Sequence, residues 1–399
     1  MRILLVHNYY QQPGGEDQVF VAESAMLEER GCQVFRYKVH NDSIKRMNFL
    51  TLTRSTLWNK AIASELRNVI RKVRPDVIHF HNTFPLISPS AYYAAKAEGV
   101  PVVQTLHNYR LLCPNALFFR NGHVCEDCMG KFVPFSGVLH ACYRESRAAT
   151  TVVVAMLSLH RVLRTYSRMV DMYITLTEFA RNKFIEGGLP AEKIVVKPNF
   201  IDPDPGSSEG CGGYALFVGR LSKEKGINTL LSAWKIVGDK LPLKIVGDGS
   251  LASQVADAEQ HISSVEYLGR QLIQRVLSLM KGAVVLIFPS IWYETFGLTI
   301  LEAYSVGLPV IASNLGSMSS MIEHGRTGLH FQSGDQKDLA EKVNWAINNP
   351  KEFTQMRLEA RKEYERKYTA EINYKMLMDI YETAIKRARE KPRNSIRYE

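Results

Sequence analysis

The chain has 399 residues, 46% of them hydrophobic and 23% charged, with a formal net charge of +10. That length exceeds one ordinary core, so about two domains are expected, and the balanced composition excludes a disordered or fibrous protein. The positive excess is one-sided. Lys+Arg outnumber Asp+Glu by 25 to 16 over residues 1–200 but only by 25 to 24 over residues 201–399, which suits an anionic surface or phosphorylated partner for the first half.

The opening, MRILLVHNYYQQPGG, carries an apolar run, Ile3–Val6, that is too short for a signal-peptide core and reads as a first β-strand. Further short apolar runs follow at Gln33–Tyr37, Val77–Phe80, Val102–Thr105 and Tyr173–Leu176. A second series lies at Ala215–Val218, Leu243–Val246, Val284–Phe288 and Val310–Ala312. Continuously apolar runs alternating with helical patterns predict two doubly wound α/β domains, with ligand edges at the carboxyl ends of their parallel strands. The Pro-, Gly-, Ser- and Asp-rich stretch KPNFIDPDPGSSEGCGG (197–213) reads as a linker. Expected boundaries are therefore 1–198, 199–370 and a final segment 371–399, a helix over about Ala370–Arg389 with a basic tail. The longest uncharged helical stretch, 148–160, is too short for a membrane span of roughly 20 residues. A cytoplasmic location, or a peripheral one at the inner face of the cell membrane, is expected.

The second half concentrates anion-binding chemistry at strand ends. Gly219, Arg220 and Lys225 (GRLSKEKG) follow one strand, GDGS (247–250) the next, and ETFGLTILE a third. Arg supplies a planar fork and Lys a point charge for phosphate oxygens. Glycines let a ligand approach the backbone, and a helix beginning near Gly297 offers free amides to an anion. Glu294 and Glu302 add hydroxyl acceptors, so the set describes a nucleotide-sugar site.

These residues resemble a known family. ETFGLTILEAYSVGLPVIAS is similar to the E-x7-E signature of the retaining family 4 glycosyltransferases of the two-domain GT-B fold, and GRLSKEKG to their phosphate motif; the likeness spans almost the whole chain. It implies two Rossmann-like domains facing across a cleft, with a C-terminal helix returning to the first. It also implies transfer of a sugar from a nucleoside-diphosphate-sugar to a hydroxyl acceptor, with no catalytic metal, in the assembly of bacterial surface polysaccharide or glycolipid. Arg220 and Lys225 would hold the diphosphate, Glu302 the ribose and Glu294 the sugar hydroxyls. The backbone of Phe296, Gly297 and Leu298 would meet sugar and phosphate, with Gly269 and Arg270 beside the base. From the first half, Gly14 and Gly15 in the turn Pro13-Gly14-Gly15-Glu16 would approach the phosphates, and His107 the reacting sugar. The family usually has His-Asp where this chain has His107-Asn108. His79 and His81 are further cleft candidates. A non-catalytic sugar-nucleotide scaffold and a zinc-containing nucleic-acid binder are the alternatives; the second would leave the phosphate turns without a role, so no nucleic acid is expected.

Two features lie beyond the donor site. Cys113, Cys125, Cys128 and Cys142 cluster around a long insertion (111–142), and the spacing C-x11-C-x2-C-x13-C suits a closed S4 structural zinc site that pins an acceptor-facing loop. Arg161, Arg164 and Arg168 recur at spacing three and four beside the apolar run 148–160. As one helix face they would suit docking on an anionic membrane carrying a lipid-linked acceptor.

Overall fold

A computed structural model describes residues 1–11 and 14–390. Pro13 and the end of the basic tail lie outside the described residues. The strands, in chain order, are β1 (Arg2–Tyr9), β2 (Gln33–His40), β3 (Val77–Asn82), β4 (Val102–Thr105), β5 (Phe119–Arg120), β6 (His123–Val124), β7 (Met172–Thr175), β8 (Ile194–Val196), β9 (Ala215–Val218), β10 (Leu243–Val246), β11 (Val265–Tyr267), β12 (Val285–Phe288), β13 (Val310–Ser313) and β14 (Gly328–Phe331). They form two six-stranded parallel sheets, ordered β2-β1-β3-β4-β7-β8 and β11-β10-β9-β12-β13-β14, and one small antiparallel hairpin, β5-β6.

The burial pattern explains the sheets. Every residue of β3, β4, β7, β12 and β13 is buried, because helices cover both faces of a parallel sheet and leave no solvent side to mark with polar residues. β2, at an edge, carries exposed Gln33, Lys38 and His40 instead. In both orders the chain leaves the first strand on one side and later returns to its other side. Such a reversal opens a crevice at the carboxyl ends of the central strands, where α/β folds bind ligands.

The chain passes from the first sheet to the second through residues 197–214 and returns before its last helix, Ala370–Glu390. Leu377, Ile380, Tyr381 and Ala384 of that helix join Ile3, Leu5, Phe20, Val103 and Ile174 in one core cluster, so the C-terminal helix packs on the first sheet. The two passages touch, with Ile201 bridged to Thr369. Asp204, in the turn of the first passage, pairs with Arg361 at 2.6 Å.

The helical reading of 148–160 holds, as a helix over Arg147–Val162, but the arginine face does not. The helix ends at Val162, and Arg164 stands in the left-handed region (φ 53°) before a separate short turn of helix, Thr165–Arg168. Arg161 is turned inward. Its guanidinium donates to the carbonyls of Leu111 (2.8 Å), Phe132 (3.0 Å) and Lys131, tying the cysteine-bearing insertion to this helix.

Candidate active site

On the second-sheet side, β9 ends at Gly219 and the chain bends back over it. Gly247 sits at φ 150°, and a Cβ there would stand 1.8 Å from the Gly219 carbonyl oxygen, so a side chain is excluded. Lys225 closes a 3₁₀ turn, Lys223–Lys225, capped by Gly226 at φ 74°, where a Cβ would strike the Pro289 carbonyl at 1.9 Å. Two close backbone approaches thus place Arg220 and Lys225 at the strand end. Arg220 is exposed. The Lys225 ammonium donates to Glu294 Oε1 at 2.6 Å and lies 5.4 Å from the Trp292 ring. Ser290 Oγ (2.8 Å) and Trp292 Nε1 (2.9 Å) donate to the same oxygen. Sequence reasoning assigned Lys225 and Glu294 to separate parts of a ligand, whereas the structure pairs them.

The helix Leu298–Ser305 begins at Gly297, and its first-turn amides have no intrahelical acceptor. The Gly297 amide reaches Met321 Sδ at 3.5 Å. Phe296 is buried in the core, so only its backbone can meet a ligand. Glu302 is 8% exposed, and burial raises its pKa to about 7. Gly269 (φ 62°) and exposed Arg270 lie on the turn after β11, where the Gly269 carbonyl accepts the Gly247 amide at 2.9 Å.

On the first-sheet side, Gly14 caps the helix Gly15–Glu29. Its amide donates to Asp17 Oδ2 (2.8 Å), while Asp17 Oδ1 lies 2.6 Å from His7 Nε2, which fixes the turn. A Cβ at position 15 would lie 3.6 Å from Leu298 Cδ2, so the two helix N-termini face each other. His107 follows β4, half-buried, and stacks on His81 with Nε2 3.1 Å from His81 Nδ1. Burial, then the neighbouring His81 and His7, hold the His107 pKa well below its ordinary value, so the ring is neutral. Thr295 Oγ1 donates to the His107 carbonyl across the cleft at 2.8 Å.

Behind His107 lies a buried network that sequence reasoning did not find. The Lys197 ammonium donates to Glu23 Oε2 and Asn373 Oδ1, each at 3.0 Å, and Glu23 Oε1 lies 3.1 Å from His79 Nδ1 and 3.3 Å from His81 Nε2. His79 is fully buried between Tyr381 and Thr105, so of the two candidate histidines only His81 reaches the site. Burial raises the Glu23 pKa, but the Lys197 charge and the two histidines more than offset this and hold it well below the carboxylate range. Burial, then the neighbouring His79, push His81 down to about 3 against the opposing pull of Glu23. Glu23, His79 and His81 bring three ligand atoms within 4.8 Å of one another, but the Lys197 ammonium already supplies the cation there. The only trace in the sequence is the alternation of HFHN in β3.

The four cysteines gather in one region of the insertion, where Cys113, Cys142 and Cys125 all act on the Cys128 thiol. Among the described residues, no three of their sulfurs lie within 4.8 Å of one another. Cys128 Sγ instead contacts the Pro134 carbonyl at 3.7 Å, and burial, then the nearby Cys113, push its pKa up to about 12. Arg120–Asp127 (2.7 Å) and the Arg161 carbonyl contacts hold the loop.

The chain matches two family descriptions that together cover most of its length: "Glycosyltransferase Family 4" over residues 13–205 and "Glycosyl transferases group 1" over residues 208–363. An uncharacterized glycosyltransferase of Methanocaldococcus jannaschii is 29% identical over 318 residues, 79% of this chain and 78% of the relative. The capsular polysaccharide biosynthesis glycosyltransferase CapM of Staphylococcus aureus is 26% identical over 60% of this chain, and the match spans 63% of its own length. Among solved structures, HepE of Anabaena in complex with UDP superposes with a TM-score of 0.67 at 17% identity, covering 96% of this chain and 100% of the other. Sucrose-phosphate synthase of Thermosynechococcus elongatus gives 0.69 at 15% identity, covering 96% and 98%. The structures share the fold, the family matches cover both halves of the site, and the chain belongs to the family 4, group 1 glycosyltransferases of the GT-B fold.

Proposed function

We propose that this glycosyltransferase moves a sugar from a nucleoside-diphosphate-sugar to a hydroxyl acceptor with retention of anomeric configuration, in the assembly of a bacterial surface polysaccharide or glycolipid. One observation carries the reading. Exposed Arg220, the Lys225–Glu294 pair and the Gly297 helix start converge at the carboxyl end of the second sheet, directly across a hydrogen-bonded contact from His107. Relatives point the same way: CapM acts in capsular polysaccharide biosynthesis, and HepE is seen with UDP.

On this reading, Arg220, Lys225 and the first amides of the Leu298 helix take up the charge that grows on the departing diphosphate. Lys225 leaves Glu294 as the phosphate arrives, which frees that carboxylate for a sugar hydroxyl. Neutral His107 hydrogen-bonds the sugar near its reacting carbon, and Glu302 accepts the ribose hydroxyls. Catalysis is then mainly positioning and leaving-group stabilisation, with the acceptor attacking from the face the diphosphate vacates.

The acceptor is expected at a membrane. Phe132, Val133, Phe135 and Leu139 of the insertion and Val162 and Leu163 at the adjoining helix end are all at least 41% exposed, with Arg164 and Arg168 beside them. Apolar groups rimmed by cations suit an anionic bilayer surface. No helix among the described residues is long and apolar enough to cross a membrane.

The test is a panel of nucleoside diphosphates scored by thermal shift, then sugar variants of the best one scored for diphosphate release. Release only when a hydroxyl acceptor is present supports transfer. Binding without release under any acceptor would leave a scaffold, and an anomerically inverted product would end the retaining assignment.

A further inference from the structure

Glu16 follows the Gly-Gly turn and has no part in the donor site described above. It is half-buried at the start of the helix Gly15–Glu29. Its Oε2 accepts from Asn108 Nδ2 at 3.4 Å, and Asn108 Nδ2 also lies 3.5 Å from the Tyr10 hydroxyl. The orientation of that amide is fixed, because Asn108 Oδ1 accepts the Arg110 backbone N–H at 3.1 Å. Glu16 Oε1 is buried with no hydrogen-bond partner among the described residues. Glu23 Oε1 is the other such carboxylate oxygen, and it has two histidine nitrogens within 3.3 Å. An unsatisfied buried acceptor costs about 1–3 kcal/mol, more when charged, unless a ligand supplies the donor.

The location says which donor. Asn108 adjoins His107, and Gly15 faces Leu298, so Glu16 sits between the two elements assigned to the sugar and the phosphate.

Building on the transfer reading above, we propose that Glu16 is the acceptor-side catalytic carboxylate: its Oε1 accepts the hydrogen bond of the attacking hydroxyl and takes its proton. The acceptor O–H bond breaks toward Glu16, and the acceptor oxygen bonds to the anomeric carbon. The bond from that carbon to the diphosphate oxygen breaks, and its electron pair leaves with the diphosphate. The proton then passes from Glu16 to solvent. Asn108 is the positioning residue. An amide donates to Glu16, whereas an aspartate there would set a second carboxylate against it. Burial, then Asp17, raise the Glu16 pKa to about 8, with Asn108, Arg110 and Tyr10 pulling it down in part. These are the groups that face it from the helix, the loop after β4 and the end of β1. A proton affinity near working pH suits a group that must be ionised to accept and then hold a proton.

In Glu16→Gln the nucleoside diphosphate thermal shift is expected to stay at the wild-type value. Acceptor-dependent kcat should fall about 10²- to 10⁴-fold, the range for loss of a general base. The rise of kcat with pH through about 8 should flatten in the same variant. Glu16→Gln combined with Asn108→Asp, which moves the carboxylate to the neighbouring position, is expected to recover part of the loss. Wild-type kcat with an unchanged pH profile in Glu16→Gln overturns the proposal, and so does a variant that loses the thermal shift together with transfer. Should Glu16→Gln not fold, Glu16→Asp is expected to keep the pH rise with kcat reduced; an unchanged kcat there overturns it equally. A wild-type protein that binds no nucleoside diphosphate sinks the donor reading, and this assignment with it.

Discussion

The two sheets handle charge in opposite ways. At the second sheet the two cations stand toward the surface: Arg220 is exposed, and half-buried Lys225 is held on the Glu294 carboxylate. At the first sheet the titratable groups are buried under the cleft, with Lys197 and Glu23 sealed beneath His81 and His107, whose surroundings hold them neutral. On the proposed function, one side would receive an anion arriving from solvent, while the other fixes the geometry of a neutral ring before anything arrives. Electrostatic preorganisation works best where nothing has to rearrange during the reaction.

That contrast can be broken in four places. The largest effect is expected at Lys197→Ala, which leaves Glu23 as an uncompensated buried charge and should remove about 3–5 kcal/mol of stability in denaturant titration. A loss below about 1 kcal/mol would mean the network is not sealed. Next, Lys225→Ala should lower kcat about 10²- to 10³-fold with the fold intact, because a donor to the departing charge is lost. Melting curves near wild type alongside that drop would place the effect on the donor side alone.

The third concerns protons. Glu302 binds its proton more tightly in the folded protein, near pH 7, than in the unfolded chain, near 4.5. A raised carboxyl pKa means that stability falls as pH rises between those two values. Glu302→Gln, which has no proton to lose, should therefore gain stability relative to wild type as pH climbs from 5 toward 8 in thermal melts. A relative loss over that range contradicts the burial argument. The smallest effect belongs to the surface: Phe132→Ser with Phe135→Ser should change stability by no more than about 1 kcal/mol, since both rings are over half exposed. The pair should still abolish flotation with anionic vesicles, and equal flotation would remove the membrane patch.

What the sequence discloses follows the range of the interactions involved. β4, β9 and β10 coincide with their apolar runs because double-sided burial writes itself locally. The short strands Ile194–Val196 and Gly328–Phe331 leave too little periodicity to read, and they exist because a neighbouring strand offers hydrogen bonds. The hairpin β5-β6 did carry a signal: Asn121-Gly122, both with positive φ, is the preferred two-residue hairpin turn. Within the site, the stretch from Glu294 to Glu302 is legible because its chemistry lies within nine consecutive residues. The Glu23–Lys197–Asn373 contacts join residues up to 176 apart, and no spacing rule reaches that far. Arg161 shows the opposite failure, a periodic pattern that tertiary carbonyls reassign from surface to anchor.

The bridge between Ile201 and Thr369 has a mechanical consequence. Because both passages between the sheets run side by side, any motion that parts the halves must pivot about that one line. It must also undo Thr295 to the His107 carbonyl, Thr177 to Ser317 and Tyr109 to the Glu294 carbonyl, which together form a latch on the far side. At about 0.5–1.5 kcal/mol per hydrogen bond, the latch is worth only a few kcal/mol. Changes at the latch are therefore expected to act on opening and product escape before they act on bond making.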